Sequence, residues 1–254
     1  PLADDAEQVK QHVISALERV VKTAPSGDVL LPAAIIPYAP HDERATLLET
    51  LDDALDLMVE EILLVGGGEP TIHPMFEDLV VEVKKRGLGL NFSTNGLVLK
   101  PKLVDLIIEN GVDNITVSVS GVSFDSYKAT HPMMSKKGYE KLYENFKYLN
   151  YRRRKLIQET GQEFVKPFTI FLHVITSDNY HEVLDMAFTG IEYGFDTVWF
   201  KLVHPSQWSR HLCLSPEQAQ QVREQFKILR DYQDQLTIKI DDYMDEEINN
   251  LDDT

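Results

Sequence analysis

The feature that most constrains this chain is an alternation. Short β-branched runs take turns with amphipathic helical stretches, and glycine or proline marks most of the joints. That is the pattern of βα units laid around a parallel sheet. An opening helix is expected over 5–22, with Val9, Val13, Ile14, Leu17, Val20 and Val21 at helical spacing. A strand interrupted by Pro32 follows over 29–36, then a helix over 46–58. From there strands are expected over 61–65, 90–93, 114–119, 167–175, 197–203 and 236–240. The helices between them are read over 74–86, 102–110, 137–159, 180–193 and 215–232, with a break in the long one near Leu149. Gly111 and Gly194 end two of these helices, and Ser215-Pro216-Glu217-Gln218 opens the last.

A closed eight-unit barrel takes about 250 residues. This chain has 254. Residues 1–28 read as a helical extension and 241–254 as an acidic tail. The α/β fold expected for 29–240 is therefore a partial, open (β/α)6-type parallel barrel.

The net charge is −16, from 41 acidic and 25 basic residues. Such a balance opposes a non-specific role on nucleic acid, which needs a positive footprint. The local exception is Tyr151-Arg152-Arg153-Arg154-Lys155, read as a solvated helix face. No apolar run is long enough to span a membrane, and the first twenty residues lack the pattern of a secretory signal. Cys213 is the single cysteine. It cannot form an internal disulfide, so a reducing compartment, the cytoplasm, is expected, with Cys213 as a buried structural thiol.

In βα architectures ligands gather at the C-terminal edge of the strands. The loop there after the second strand runs Gly66-Gly67-Gly68-Glu69-Pro70. Consecutive glycines let a ligand approach the backbone closely, which a plain βα turn does not require. It has neither phosphate-loop spacing nor a dinucleotide fingerprint. Ser93-Thr94-Asn95-Gly96 follows the third strand and Ser118-Val119-Ser120-Gly121 the fourth. By the period of two, Ser118 and Ser120 point to one face. Each is either a ligand contact or an interior hydroxyl. His73, His131, His204 and His211 are too scattered for a metal motif.

The G-G-G-E-P loop, S-T-N-G and S-V-S-G, each in its βα place, together resemble the radical S-adenosylmethionine (SAM) superfamily. The stretch from Val174 to Glu182, V-I-T-S-D-N-Y-H-E, supports the likeness, which covers roughly Val29 to Val203. The resemblance implies SAM as cofactor, with Gly66, Gly67, Gly68 and Glu69 at its amino group and Pro70 closing the loop. It places Asn95, Ser118 and Ser120 near the ribose or carboxylate, with Ser93 also among the cofactor-binding residues. The family commonly has an acidic residue in the segment matching 118–121, where this chain has S-V-S-G.

The main departure lies upstream. The family's C-x-x-x-C-x-aromatic-C pattern falls on Pro32, Ile36 and Ala39, with Tyr38 as the aromatic beside the cluster, and none of the three is a thiol. A four-iron four-sulfur cluster needs those thiolates. On one reading this sequence omits a cluster-bearing loop between Leu31 and Thr46. The Pro32-broken strand and the junction Met58-Val59-Glu60-Glu61, which lacks a turn residue, both fit a shortened text. The protein is then a radical SAM-type enzyme that forms a 5′-deoxyadenosyl radical and abstracts hydrogen, served by an electron donor. On the other reading it is a cluster-less pseudoenzyme or a ligand-binding or interaction module on the same fold. An unrelated barrel enzyme using the Glu69 loop is a third class. The substrate is expected to be a small molecule, peptide or protein.

Overall fold

In the computed structural model, residues 29–32, 43–65, 68–207 and 209–231 are described. The expected helix over 5–22, the strand over 236–240, the acidic tail, and Ile36, Tyr38, Ala39, Gly66 and Gly67 lie outside them.

The elements run β1 (Val29–Pro32), α1 (Glu43–Asp56), β2 (Glu61–Val65), α2 (Phe76–Lys85), β3 (Gly89–Thr94), α3 (Pro101–Glu109), β4 (Asn114–Ser118), α4 (Phe124–Thr130), α5 (Lys136–Thr160), β5 (Phe168–Ile175), α6 (Val183–Glu192), β6 (Thr197–Leu202) and α7 (Pro216–Asp231). The six strands form one parallel sheet in the order β1-β2-β3-β4-β5-β6. The fold is the expected α/β partial barrel. Among the described residues β1 and β6 each have one neighbour, so the strands do not close into a ring.

One face of the sheet carries the core. Ile62 and Leu64, Leu90 and Phe92, Ile115 and Val117, Phe171 and Ile175, and Val198 and Phe200 are buried. Helices meet that face with apolar residues three and four apart, as in α2 (Phe76, Leu79, Val80, Val83) and α3 (Leu103, Val104, Ile107, Ile108). Phe76 meets Phe92 edge-on at 5.1 Å, and Phe226 of α7 meets Phe200 in the same way. On the opposite face Leu63, Asn91, Ser93, Thr116, Leu172, Val174 and Trp199 are half-buried.

Three expectations are corrected. The long helix does not break near Leu149: α5 is continuous, with Leu142, Phe146, Leu149 and Arg153 buried along one stripe. The short helix α4, capped by the Ser123 hydroxyl on the Ser126 N–H, stands in what reads as loop. Cys213 is half-buried rather than buried.

The joint between α1 and β2 needs no missing residues. Met58 itself takes the left-handed conformation, φ +58°. Its N–H bonds Leu55 O at 2.9 Å, and the Val59 N–H bonds Ala54 O at 3.0 Å. This is a complete glycine-type helix cap. A side chain in that conformation costs roughly 1–2 kcal/mol.

Candidate functional site

The site is built at the C-terminal edge of β2, β3 and β4. After β2 the chain passes Gly68, which is exposed, to Glu69, which caps a 3-10 turn over Pro70–Ile72. The Glu69 carboxylate is the joint of the site. Its Oε1 accepts from the Thr71 N–H (3.1 Å), the Thr71 hydroxyl (2.5 Å) and the Thr94 hydroxyl (2.7 Å). Among the described residues its Oε2 accepts from the Asn95 N–H alone, at 2.7 Å. A carboxylate offers about four acceptor sites, so Oε2 keeps room for another donor. No lysine or arginine among the described residues pairs with Glu69. Pro70 is buried beneath the turn and places no polar group in the site.

Gly68 does not have positive φ, and a Cβ there would meet nothing within 4 Å. Packing among the described residues does not demand glycine at this position. Gly96 is different. At φ +77° its Cβ would lie 2.7 Å from the Phe146 ring, so only glycine lets the loop after β3 settle on α5. The buried Asn145 carboxamide holds that loop by donating to Gly96 O (3.0 Å) and Leu97 O (3.1 Å). Asn95 spends its Oδ1 on the Leu97 N–H at 3.0 Å. Ser93 sits half-buried on the helix-free face, in register with Thr116.

Ser118 and Ser120 differ in their surroundings. β4 ends at Ser118, which is exposed. Beyond the strand burial still alternates, with Val119 buried and Ser120 half-buried, but Ser120 has partners of its own. The Ser120 hydroxyl lies 2.5 Å from the Thr130 hydroxyl and 3.3 Å from His131 Nδ1, on the His131 ring that stacks on Tyr127 at 4.3 Å. Of the two serines, Ser118 is the one left open.

Sequence reasoning missed the residues that shape this edge from behind. Glu182, 4 % exposed, accepts from the Val122 N–H (2.9 Å) and the Ser126 hydroxyl (2.6 Å). Burial pushes this carboxyl up. The hydroxyls of Ser123 and Ser126 and the N–H groups of Val122 and Ser123 outweigh it and hold the acid below the usual range. Asn179 takes the Thr176 N–H on its Oδ1 at 2.7 Å and donates to Val174 O at 2.9 Å and to Ser120 O. The T-S-D-N-Y-H-E stretch that supports the resemblance is therefore the clamp that fixes the loop after β4. Behind it His173 is fully buried. Its Nδ1 donates to Val119 O at 2.7 Å, its Nε2 lacks a partner among the described residues, and burial lowers its pKa to about 4.

The iron–sulfur cluster implied by the resemblance does not fit the residues present. The sequence has one thiol, Cys213, and it lies beyond β6, next to the Arg210–Leu212 turn. Among the described residues no group of three or more His, Cys, Asp or Glu is placed to hold a metal ion.

Residues 32–189 match the family model of the Radical SAM superfamily. The chain belongs to that superfamily. It is 32 % identical over 177 residues to the tungsten-containing aldehyde ferredoxin oxidoreductase cofactor-modifying protein of Pyrococcus furiosus, an alignment covering 69 % of this chain and 45 % of that protein. It is 31 % identical over 71 residues to mycofactocin maturase MftC of Mycobacterium ulcerans, covering 28 % of this chain and 19 % of the maturase. The chain thus spans less than half the length of these curated relatives. In fold it is similar to Streptococcus suis SuiB bound to S-adenosylmethionine, with a TM-score of 0.55, 14 % identity, and coverage of 76 % of this chain and 42 % of SuiB. It is likewise similar to native anSMEcpe with bound AdoMet, with a TM-score of 0.57, 16 % identity, and coverage of 78 % and 54 %. Among the described residues no helix is long and apolar enough to cross a membrane.

Proposed function

We propose that this chain binds SAM at the Glu69 edge, and that with cluster-ligating cysteines restored between Leu31 and Thr46 it would be a radical SAM-type enzyme that forms a 5′-deoxyadenosyl radical and takes a hydrogen from a peptide or protein. The observation that carries the reading is the Glu69 carboxylate, held by four neutral donors and, among the described residues, with no cation against it. SAM brings an ammonium and a sulfonium, and the ammonium fits the open side of Oε2. A Cβ at neighbouring Gly68 would meet nothing within 4 Å. Ser93, Asn95 and Ser118 supply polar atoms along the same edge, and Glu182 and Asn179 hold the loop that follows. When bound, SAM supplies the deoxyadenosyl group. A peptide or protein substrate is supported by the relatives, which include mycofactocin maturases and a SuiB structure with its precursor peptide SuiA.

No step is assigned to the cluster, because this sequence has no thiolates for it. The enzyme reading places its ligands on residues that the sequence lacks, between Leu31 and Thr46, with Tyr38 beside them, and an electron donor is then required.

Titration calorimetry with SAM tests the binding claim. Glu69→Gln is expected to weaken SAM roughly ten- to a hundredfold, the worth of a charged hydrogen bond. Gly68→Val is expected to weaken it while the urea midpoint stays put. Unchanged affinity in both variants removes the assignment. Anaerobic reconstitution with iron and sulfide separates the two functional readings. This sequence is expected to hold well under one cluster per chain. A gene-encoded protein with three cysteines between Leu31 and Thr46 should hold about four irons and release 5′-deoxyadenosine. If the gene encodes none there, the radical chemistry is withdrawn and a cluster-less SAM-binding module remains.

A further inference from the structure

On the outer face, between the C-terminal half of α5 and the end of α6, lies a groove of about 510 Å³. α5 leaves the site edge after β4 and returns towards the start of β5, and Tyr193 shortly precedes β6. The groove therefore lies towards the N-terminal edge of the sheet, away from Glu69. Lys147, Arg154 and Lys155 line it, with Glu192 as the one acidic group of the lining. The rest of the basic run is spent inside the fold. Arg152 pairs with Asp105 at 2.5 Å, and Arg153 is buried against Asp196. Arg154 has no carboxylate partner among the described residues. Lys155 meets only Glu159, at 3.6 Å, and Lys147 lies 5.9 Å over the Tyr193 ring. All three cations are exposed.

We propose that this groove docks an extended acidic peptide segment of a partner protein. Eight helical positions separate Lys147 from Lys155, about 12 Å along the axis. Cations strung over that length do not converge on a single phosphate. They match carboxylates spaced every three to four residues along an extended chain at about 3.3 Å per residue. Asn150 and Gln158 lie on the same track, with amides suited to a peptide backbone, and Tyr151 and Tyr193 offer rings for an apolar side chain. The remainder of the molecule reinforces the choice. A chain of net charge −16 repels an acidic partner from most of its surface and leaves this basic track as the place to land. The inference stands whether or not the chain binds SAM.

The test uses the full chain and a fluorescein-labelled dodecapeptide with glutamate at every third position, glycine and serine between, and one leucine. Its glutamine counterpart is the control, and fluorescence anisotropy at low salt is the readout. The glutamate peptide is expected to bind and the glutamine peptide not, with affinity falling about tenfold on raising salt to physiological strength. The double variant Arg154→Glu/Lys155→Glu should lose at least about tenfold. Lys141→Glu, on the same helix but outside the groove, should lose nothing. Because the altered side chains are exposed, an unchanged urea midpoint is expected and verifies the fold. Equal binding by the double variant, or no binding of the glutamate peptide, overturns the proposal. So does inorganic pyrophosphate binding as tightly as the peptide, which makes this a small-anion site. A groove-dependent dimer in sedimentation overturns it in favour of a second copy.

Discussion

The two ends of the sheet use the same device with opposite electrical outcomes. At the N-terminal edge Asp113 and Asp196 stand just before β4 and β6. Each accepts a backbone N–H from the neighbouring strand, Leu90 at 2.8 Å and Thr169 at 2.7 Å. Each is also neutralised: Asp113 by Lys84 at 2.6 Å and by Lys166, Asp196 by both nitrogen–oxygen contacts to Arg153, at 2.6 and 2.5 Å. At the C-terminal edge Glu69 and Glu182 accept N–H groups from neighbouring loops in the same way, but among the described residues their other hydrogen-bond partners are hydroxyls, and the exposed His181 ring stands 3.9 Å from Glu182. Burying a carboxylate without a cation is costly. A fold that pairs these acids with lysine and arginine at one end and, among the described residues, not at the other keeps negative charge where a cationic ligand would be stabilised.

The sharpest way to break this comparison is Arg153→Met. It leaves Asp196 charged and uncompensated, and about 3–5 kcal/mol of stability should be lost, read from urea midpoints at neutral pH. Glu69→Gln, which removes a charge that has no cation partner, should cost much less. Equal losses would mean that the two ends are not electrically different.

Next in size is the acid limb. His173 is neutral in the folded protein, with its pKa lowered to about 4. The unfolded chain takes up the proton near the ordinary value of about 6.5. Between these pH values the unfolded state binds more protons, so stability falls as pH falls, by up to about 3 kcal/mol. Below that window Glu182 and Asp113, both held below the ordinary carboxylate range, extend the loss. Urea midpoints from pH 7 to pH 4 should flatten in His173→Phe. An unchanged slope would assign the acid limb to other groups.

Glu182→Gln keeps one acceptor and removes the charge. It should cost roughly 1–2 kcal/mol in urea unfolding at pH 7. A loss as large as that of Arg153→Met would show that this end, too, depends on a charge pair. The smallest effect concerns backbone rather than charge. Met58 is 85 % exposed with φ +58°, so Met58→Gly relieves strain and loses no core contact. A gain of about 1 kcal/mol is expected in thermal unfolding, and a loss would mean that the cap is held by more than conformation.

What the sequence revealed and what it hid follow from range. β2 is legible to the residue because Glu61–Val65 is a short apolar run bounded by a glycine loop. α4 was hidden because seven residues carry too little periodicity to separate from a loop. The break expected near Leu149 is absent because tertiary contacts override local preference. Asn145, a poor helix former, is buried and bonded to the loop after β3, and Leu149 packs into the core. Glu69 was legible as part of a motif, but its partners were not. Thr94 lies 25 residues away, and only the register of β2 with β3 brings the two together. The partners of Ser120 were hidden too, because Thr130 and His131 belong to the short helix α4 and its end.

The strand order has a consequence for synthesis. Every strand pairs with the one made immediately before it. A chain emerging from the ribosome never has to wait for a distant segment, because each new strand finds its partner already exposed. Each addition closes a loop of a few tens of residues, for which the entropy cost changes little from one unit to the next. A nascent chain halted at Thr160 already holds the partners β1 to β4, so the edge that anchors Glu69 can form before the clamp of Asn179 and Glu182 has been translated.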